Sequence, residues 1–221
     1  MKLLLQAVTK YILGILLVGL FVFLPAGTIL YPNGWLFMGL LFIPMLFLGV
    51  VLFIKAPNLL EKRLESKEKE TSQKGVVLCS ALIFLGGFIL SGLDFRFRWT
   101  KLPFWLIIAA SVVLLLAYGL YMEVMRENAY LSRTIRVHEG QTVCDTGLYG
   151  IVRHPMYAAT ILLFLAIPLV LGSLIGFFCF LFYPIVIIFR IIGEEKVLSA
   201  ELRGYEEYKK KVKYRLIPGI F

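Results

Sequence analysis

MYAATILLFLAIPLVLGSLIGFFCFLFYPIVIIFRII, Met156 to Ile192, is the stretch on which the fold turns; its 37 residues hold one charge, Arg190. A helix needs about 20 apolar residues to cross the hydrocarbon core of a bilayer. The run is too long for one crossing and slightly short for two, and Pro168, Gly172 and Ser173 interrupt it near its middle. The pattern predicts a helical hairpin with halves of about 16 residues, crossing thinly or with its tip held inside a bundle.

Four further apolar runs precede it: Tyr11 to Leu30, Trp35 to Ile54, Val76 to Leu93 and Phe104 to Met122. The first two are joined by YPNG, Tyr31 to Gly34, whose density of helix breakers predicts a tight turn there. The chain is 221 residues long, 60% hydrophobic and 17% charged. A soluble domain of that size has no interior large enough for so much apolar surface. The fold class is therefore an all-α integral membrane protein with about six hydrophobic helices, five or six of them spans. No small-x-small cleavage site follows the first run, which reads as a retained span and not a signal peptide.

The net charge of +9 belongs with this reading and not with nucleic acid. Twenty of the 23 Lys and Arg fall in the N-terminus, the Lys55 to Lys74 loop, the Glu123 to Pro155 loop and the tail from Arg190. Only Arg96, Arg98 and Lys101 fall on the other side. Positive charge stays on the cytoplasmic face, so both termini are expected there. Three cysteines (Cys79, Cys144, Cys179) and two histidines (His138, His154) match no metal or disulfide spacing, so no metal is expected. Leu59, Leu60 and Leu64 in the first charged loop predict a solvated or interfacial helix. In the tail, Leu198, Leu202, Tyr205, Tyr208 and Val212 recur at helical spacing. They predict one amphipathic helix over Glu194 to Val212, with Lys209 to Lys213 toward water and headgroups. Gly204 would cost that helix about 1 kcal/mol. The chain reads as one continuous domain, with membrane helices over residues 1–122 and a C-terminal catalytic subdomain over 123–221.

Candidate chemistry lies in the second half. The Glu123 to Pro155 loop is long for a plain connector. Within it, Thr134 to Val137 alternates as a short extended piece would, and Gly147 and Gly150 allow close backbone approach. Arg153 and His154 precede Pro155, which is suited to the first position of a helix whose free N–H groups attract a carboxylate. A purely structural account stays open: Arg153 snorkels to headgroups while Tyr149 and Tyr157 belong to an interfacial aromatic belt. Arg190 and Glu194, at i and i+4, share one face of the returning helix and could simply pair. An antiparallel hairpin would return them to the membrane face that holds His154 and Tyr157, forming one pocket.

GLYGIVRHPMY, a helical hairpin, R-x-x-x-E-E and the closing GYEEYKKKV…IPGIF together resemble the isoprenylcysteine carboxyl methyltransferase family over Asn128 to Phe221. RHP-x-Y alone is shared with membrane sterol reductases. The resemblance implies S-adenosyl-L-methionine as cofactor. It would be held by Gln141, Thr142, Val143, Cys144, Tyr149, His154, Pro155, Met156, Tyr157 and Glu194. Arg190 would bind the substrate carboxylate, and Arg190 and Glu194 would be the catalytic pair. The implied activity is methyl transfer to a lipophilic acceptor, such as a prenylated cysteine, entering from the bilayer lipid. A carboxylate is already ionised at neutral pH, so such a transfer needs no general base. Two other readings stand beside it: a membrane NADPH-dependent sterol-type reductase, and a non-enzymatic membrane transport or assembly protein.

Overall fold

The computed structural model describes residues 2–65, 71–132, 134, 135, 137 and 139–221. Among them every regular element is helical. The elements are α1 (Lys2–Ala26), α2 (Pro32–Lys55), α3 (Pro57–Leu64), α4 (Thr71–Phe97), α5 (Phe104–Glu127), a 3-10 turn (Gly147–Gly150), α6 (Pro155–Val170), α7 (Leu174–Phe180), α8 (Phe182–Glu201) and α9 (Tyr205–Lys211). Five stretches are long and apolar enough to cross a membrane: α1, α2, Gln73–Phe97 of α4, α5, and Leu174–Glu201, which joins α7 to α8. The all-α integral membrane class is the observed one.

The bundle is apolar outside as well as inside. Leu5, Leu16, Leu24, Ile43, Phe104 and Leu116 are all exposed, as lipid-facing side chains are. Its main core gathers Val22, Phe37, Phe88, Leu114, Ile167 and Phe180 from α1, α2, α4, α5, α6 and α7. Two glycines of α4 let its neighbours approach. A Cβ on Gly92 would stand 2.6 Å from the Val22 carbonyl, and one on Gly87 would stand 2.2 Å from the Phe180 ring. Pro44 inside α2 has no N–H to give the Leu40 carbonyl, and two carbonyls beside that gap take side-chain donors. Tyr118 donates to the Leu41 carbonyl at 2.8 Å and Tyr11 to the Phe42 carbonyl at 2.9 Å.

The first hairpin turns earlier than YPNG predicts. The chain reverses over residues 27–31, with Gly27 at φ +70°, and Pro32 opens α2. A proline at the first helical position forfeits no hydrogen bond, so the breaker residues start the helix and do not interrupt it.

The second hairpin breaks where its Pro, Gly and Ser predict, after Val170, with Gly172 at φ +79°. Ser173 caps α7 by accepting from the Gly176 amide at 2.9 Å. α6 has 16 residues, about 24 Å at 1.5 Å per residue. Its tip nevertheless reaches the far end of the bundle. Tyr31, from the α1–α2 turn, donates to the Leu171 carbonyl. Ser173 Oγ donates to Asp94 Oδ2 at 2.6 Å, and Thr100 donates to the same carboxylate through its amide (2.7 Å) and its hydroxyl (2.6 Å). Asp94, 1% exposed, thus has three donors. The hairpin runs the full length of the bundle, and its two halves return residues 153–157 and 190–195 to the same end.

Two expectations for the polar segments need correction. The tail is not one helix. α8 stops at Glu201, Gly204 adopts φ +86°, and α9 begins at Tyr205. The left-handed glycine ends the helical path, so it carries no interior cost. The apolar residues still converge: Leu202, Tyr205, Tyr208 and Val212 pack with Leu198, Val137 and Val143. They cover the loop and not a lipid surface. Likewise Leu59 and Leu60 of α3 are buried, Leu59 against Val124, Met125, Tyr149 and Met156. Of the expected extended piece, Thr134 and Ile135 are buried and no strand forms among the described residues, while Arg136 and also His138 lie outside them.

Candidate functional site

The end of the bundle opposite Asp94 is built around a buried carboxylate. Pro155 opens α6, and the two residues before it pair backbone to backbone with the tail. The Arg153 amide donates to the Tyr214 carbonyl and the His154 amide to the Arg215 carbonyl, both at 2.9 Å. Their side chains meet Glu195 of α8. Arg153 Nε lies 2.9 Å and His154 Nε2 3.3 Å from Glu195 Oε1, while Arg215 Nε donates to Oε2 at 2.9 Å. The Arg153 Nε contact is one of charge, since its N–H is not aligned for a hydrogen bond. Glu195 therefore ties together the start of α6, the end of α8 and the tail. Arg153 does not snorkel outward; its side chain is 7% exposed.

One turn further along α6, the Tyr157 hydroxyl donates to Glu194 Oε2 at 2.5 Å and accepts from Arg190 Nε at 3.1 Å. The hairpin geometry inferred from the apolar run is what brings these three side chains together. Arg190 and Glu194 share one α8 face at i and i+4, whereas Glu195 looks toward the tail. The His154 and Tyr157 ring centroids are 5.7 Å apart. Two carboxylates adjacent in sequence thus do separate jobs: Glu194 holds a phenol, and Glu195 holds two guanidinium groups and an imidazole.

The loop over residues 141–144 is fastened beside this centre. Thr142 is exposed. Val143 packs on the α9 cluster, and Cys144 Sγ donates to the Glu127 carbonyl at 3.6 Å while burial pushes its thiol up. Gln141 is half-buried. Asp145 pairs with Lys211 at 2.7 Å, and that contact holds its carboxyl below the usual range. Glu127 Oε2 accepts from the Leu148 amide at 2.9 Å. Gly147, at φ +53°, leaves the room this needs, since a Cβ there would stand 1.7 Å from the carboxylate. Tyr149 is buried, and its carbonyl accepts from the Tyr208 hydroxyl at 2.7 Å. Met156 is buried with Tyr149 and Met125. His154, Tyr157, Arg190 and Glu194 therefore come together, whereas Val143, Cys144 and Met156 use their side chains in packing.

Sequence reasoning did not assign roles to Glu195, Arg215 or the Tyr205 hydroxyl. Tyr205 is 4% exposed, lies near the Glu194 and Glu195 carboxylates, and has no hydrogen-bond partner for its hydroxyl among the described residues. A buried donor without a partner is uncommon in folded proteins, and it leaves this hydroxyl free to meet a bound group. Beyond it, Lys196, Arg203, Lys210 and Lys213 are exposed on α8 and the tail and offer charge to an anion.

Comparison with known proteins identifies the family. The sequence model of the family described as "Ergosterol biosynthesis ERG4/ERG24 family" matches residues 99–221. A Delta(14)-sterol reductase of Mus musculus is 32% identical over 91 residues, covering 40% of this chain and 22% of that protein. A Delta(14)-sterol reductase of Methylotuvimicrobium alcaliphilum is 24% identical over 135 residues, covering 54% of this chain and 32% of that protein. The chain thus spans between a fifth and a third of the length of these relatives.

These matches overturn the methyltransferase reading, and with it S-adenosyl-L-methionine as cofactor and methyl transfer as the reaction; the prenylated acceptor loses its support. The physical reason lies in what the shared strings encode. RHP, the second Glu of R-x-x-x-E-E and the Arg of the closing segment form the Glu195 hub and its backbone pairing with the tail. They hold α6, α8 and the tail together around Glu195, and that lock does not by itself name a cofactor. The family match covers more than half of the chain, from the α4–α5 connection through the whole site, and the chain belongs to the ergosterol biosynthesis ERG4/ERG24 family.

Proposed function

We propose that the chain is a membrane reductase that saturates a carbon–carbon double bond in a sterol-like lipid, with a nicotinamide cofactor such as NADPH as reductant. The observation that carries this reading is the Tyr157 hydroxyl held between Arg190 Nε and Glu194 Oε2 in a chain of this family. The names of the two relatives, both Delta(14)-sterol reductases, point to the substrate class.

The residues fit such a cofactor. Exposed Lys196, Arg203, Lys210 and Lys213 supply the cationic surface that a dinucleotide's phosphates need, and the unpartnered Tyr205 hydroxyl supplies a buried donor beside Glu194. A nicotinamide bound here would supply the hydride for one carbon of the double bond. Tyr157 gives its proton to the other carbon. As the O–H bond breaks, the Arg190 guanidinium holds the negative charge on the phenolate oxygen. Glu194, within 2.5 Å, orients the hydroxyl and lies on the path by which a proton returns from water. His154 and Tyr149 line the cofactor side in this reading, and the loop over residues 141–144 contributes backbone groups. The lysine-rich end faces the cytoplasm, where the polar cofactor is found, and the lipid arrives sideways through the bilayer.

The test is calorimetric titration of the detergent-purified protein with NADPH and, separately, S-adenosylhomocysteine. Micromolar binding of NADPH alone, together with NADPH oxidation that depends on an added Δ14-sterol, supports the reading. Absence of NADPH binding overturns it.

A further inference from the structure

The α8 face that carries Arg190 and Glu194 also carries Gly193, and Gly193 is covered by Gln73 from the first turn of α4. A Cβ at Gly193 would stand 1.8 Å from Gln73 Nε2, so only the bare glycine backbone admits the amide at this depth. Gln73 is 3% exposed, and its Oε1 has no hydrogen-bond partner among the described residues. Buried amide oxygens are nearly always paired, and an unpaired one has lost its water without return.

Packing alone does not account for a glutamine here. A methionine of similar length would fill the space above Gly193 with no polar atom to satisfy. A latch between α4 and α8 that satisfied the whole amide would also give Oε1 a donor, and Oε1 is unpaired. What distinguishes the position is its neighbourhood. Residues 190, 193 and 194 lie side by side on one helical face, so the amide lies over the same α8 surface that holds Tyr157.

We propose that Gln73 is a ligand-contacting residue of this site. Its amide hydrogen-bonds a polar group that both donates and accepts: the carboxamide of the nicotinamide, or the hydroxyl of the lipid substrate. The inference rests on the reductase reading and deepens it. Gln73 lies outside residues 99–221, the part matched to the family. The contact therefore comes from the half of the chain with no such match, and it sets what this chain accepts within a chemistry the family shares.

The experiment compares the native chain with Gln73→Met and Gln73→Asn in detergent. It measures NADPH affinity by calorimetry, Michaelis constants for NADPH and for a Δ14-sterol, and the thermal midpoint without ligand. Gln73→Met should weaken one ligand about tenfold, the equivalent of one hydrogen bond, while the ligand-free midpoint stays constant or rises. A loss confined to NADPH assigns the carboxamide, and one confined to the sterol assigns the hydroxyl. Gln73→Asn, which keeps the amide but withdraws it, should weaken the same ligand. If both variants bind both ligands as the native chain does, or show only a lowered midpoint, Gln73 is structural and the inference is overturned alone. A native chain that binds neither ligand overturns the reductase reading and this inference together.

Discussion

Tyr157 and Glu194 stand 2.5 Å apart across the α6–α8 interface, 37 residues apart in sequence. The contact exists because the hairpin tip is pinned at the far end of the bundle, so both arms return to the same depth.

Replacing Tyr157 with Phe removes one oxygen and leaves the ring. If the hydroxyl supplies the proton, turnover with a Δ14-sterol should fall by about 10²- to 10⁴-fold. NADPH affinity should change by less than about threefold, because a phenol at the reacting carbon adds little to cofactor binding in the ground state. Single-turnover NADPH oxidation alongside calorimetry separates the two. Equal loss in both would make Tyr157 a cofactor ligand and not an acid.

Glu195 holds two guanidinium groups and the His154 imidazole in a desolvated setting, and its removal leaves the nearly buried Arg153 and His154 side chains without their partner. Glu195→Ala should lower unfolding stability by about 3–5 kcal/mol, read as a drop in thermal midpoint in detergent. Arg215→Ala should cost less, because its side chain is 35% exposed and water can replace it. The double variant should be less damaging than the sum of the two single variants, since both break one network.

Ser173 is one of two residues that donate to Asp94, at the end of the bundle away from the site. Ser173→Ala should cost about 1–3 kcal/mol by leaving a buried carboxylate short of a donor. Limited proteolysis at the α6–α7 turn should become faster, while NADPH affinity stays as it was. A stability equal to that of the native chain would mean that Thr100 alone satisfies the carboxylate.

Burial raises the ionisation of Tyr149, Tyr205 and Tyr208 above the ordinary tyrosine value. An unfolded tyrosine ionises near pH 10, so above that pH the unfolded chain releases protons that the folded chain retains. The stability these groups contribute is whole below about pH 10 and is lost as the pH rises beyond it. Thermal midpoints measured between pH 8 and pH 11 should be level and then fall. Tyr205→Phe, which removes one such group and an unpaired buried hydroxyl, should shallow that fall.

The apolar architecture was legible because membrane helices announce themselves by length, and the hairpin because Gly172 and Ser173 sit at its reversal, just after Pro168. The convergence of His154, Tyr157, Arg190 and Glu194 followed from that hairpin. Other parts were not legible, for physical reasons. Pro32 reads equally well as a turn residue or a helix start, and only the packing of Tyr31 and Phe23 against Gly34 decides it. Periodicity ran unbroken through Gly204 because the apolar residues around it face one partner from two separate helices. Glu195 and Arg215 meet through their side chains only because the tail folds back and pairs with residues 153–154, which leaves no spacing to read. The cofactor was misassigned for a related reason: RHP, the second Glu of R-x-x-x-E-E and the closing Arg build the lock around Glu195, and a lock names no cofactor.

Because the Arg153 and His154 amides pair with the Tyr214 and Arg215 carbonyls, the site has a built-in order of assembly. The membrane helices can be threaded into the bilayer as they leave the ribosome, and Tyr157, Arg190 and Glu194 are already present once α8 is in place. The start of α6 is held to its final geometry only when residues 214–215 have been translated and have folded back across it. Until that moment the nascent chain carries these three side chains without the backbone pairing that fixes the start of α6.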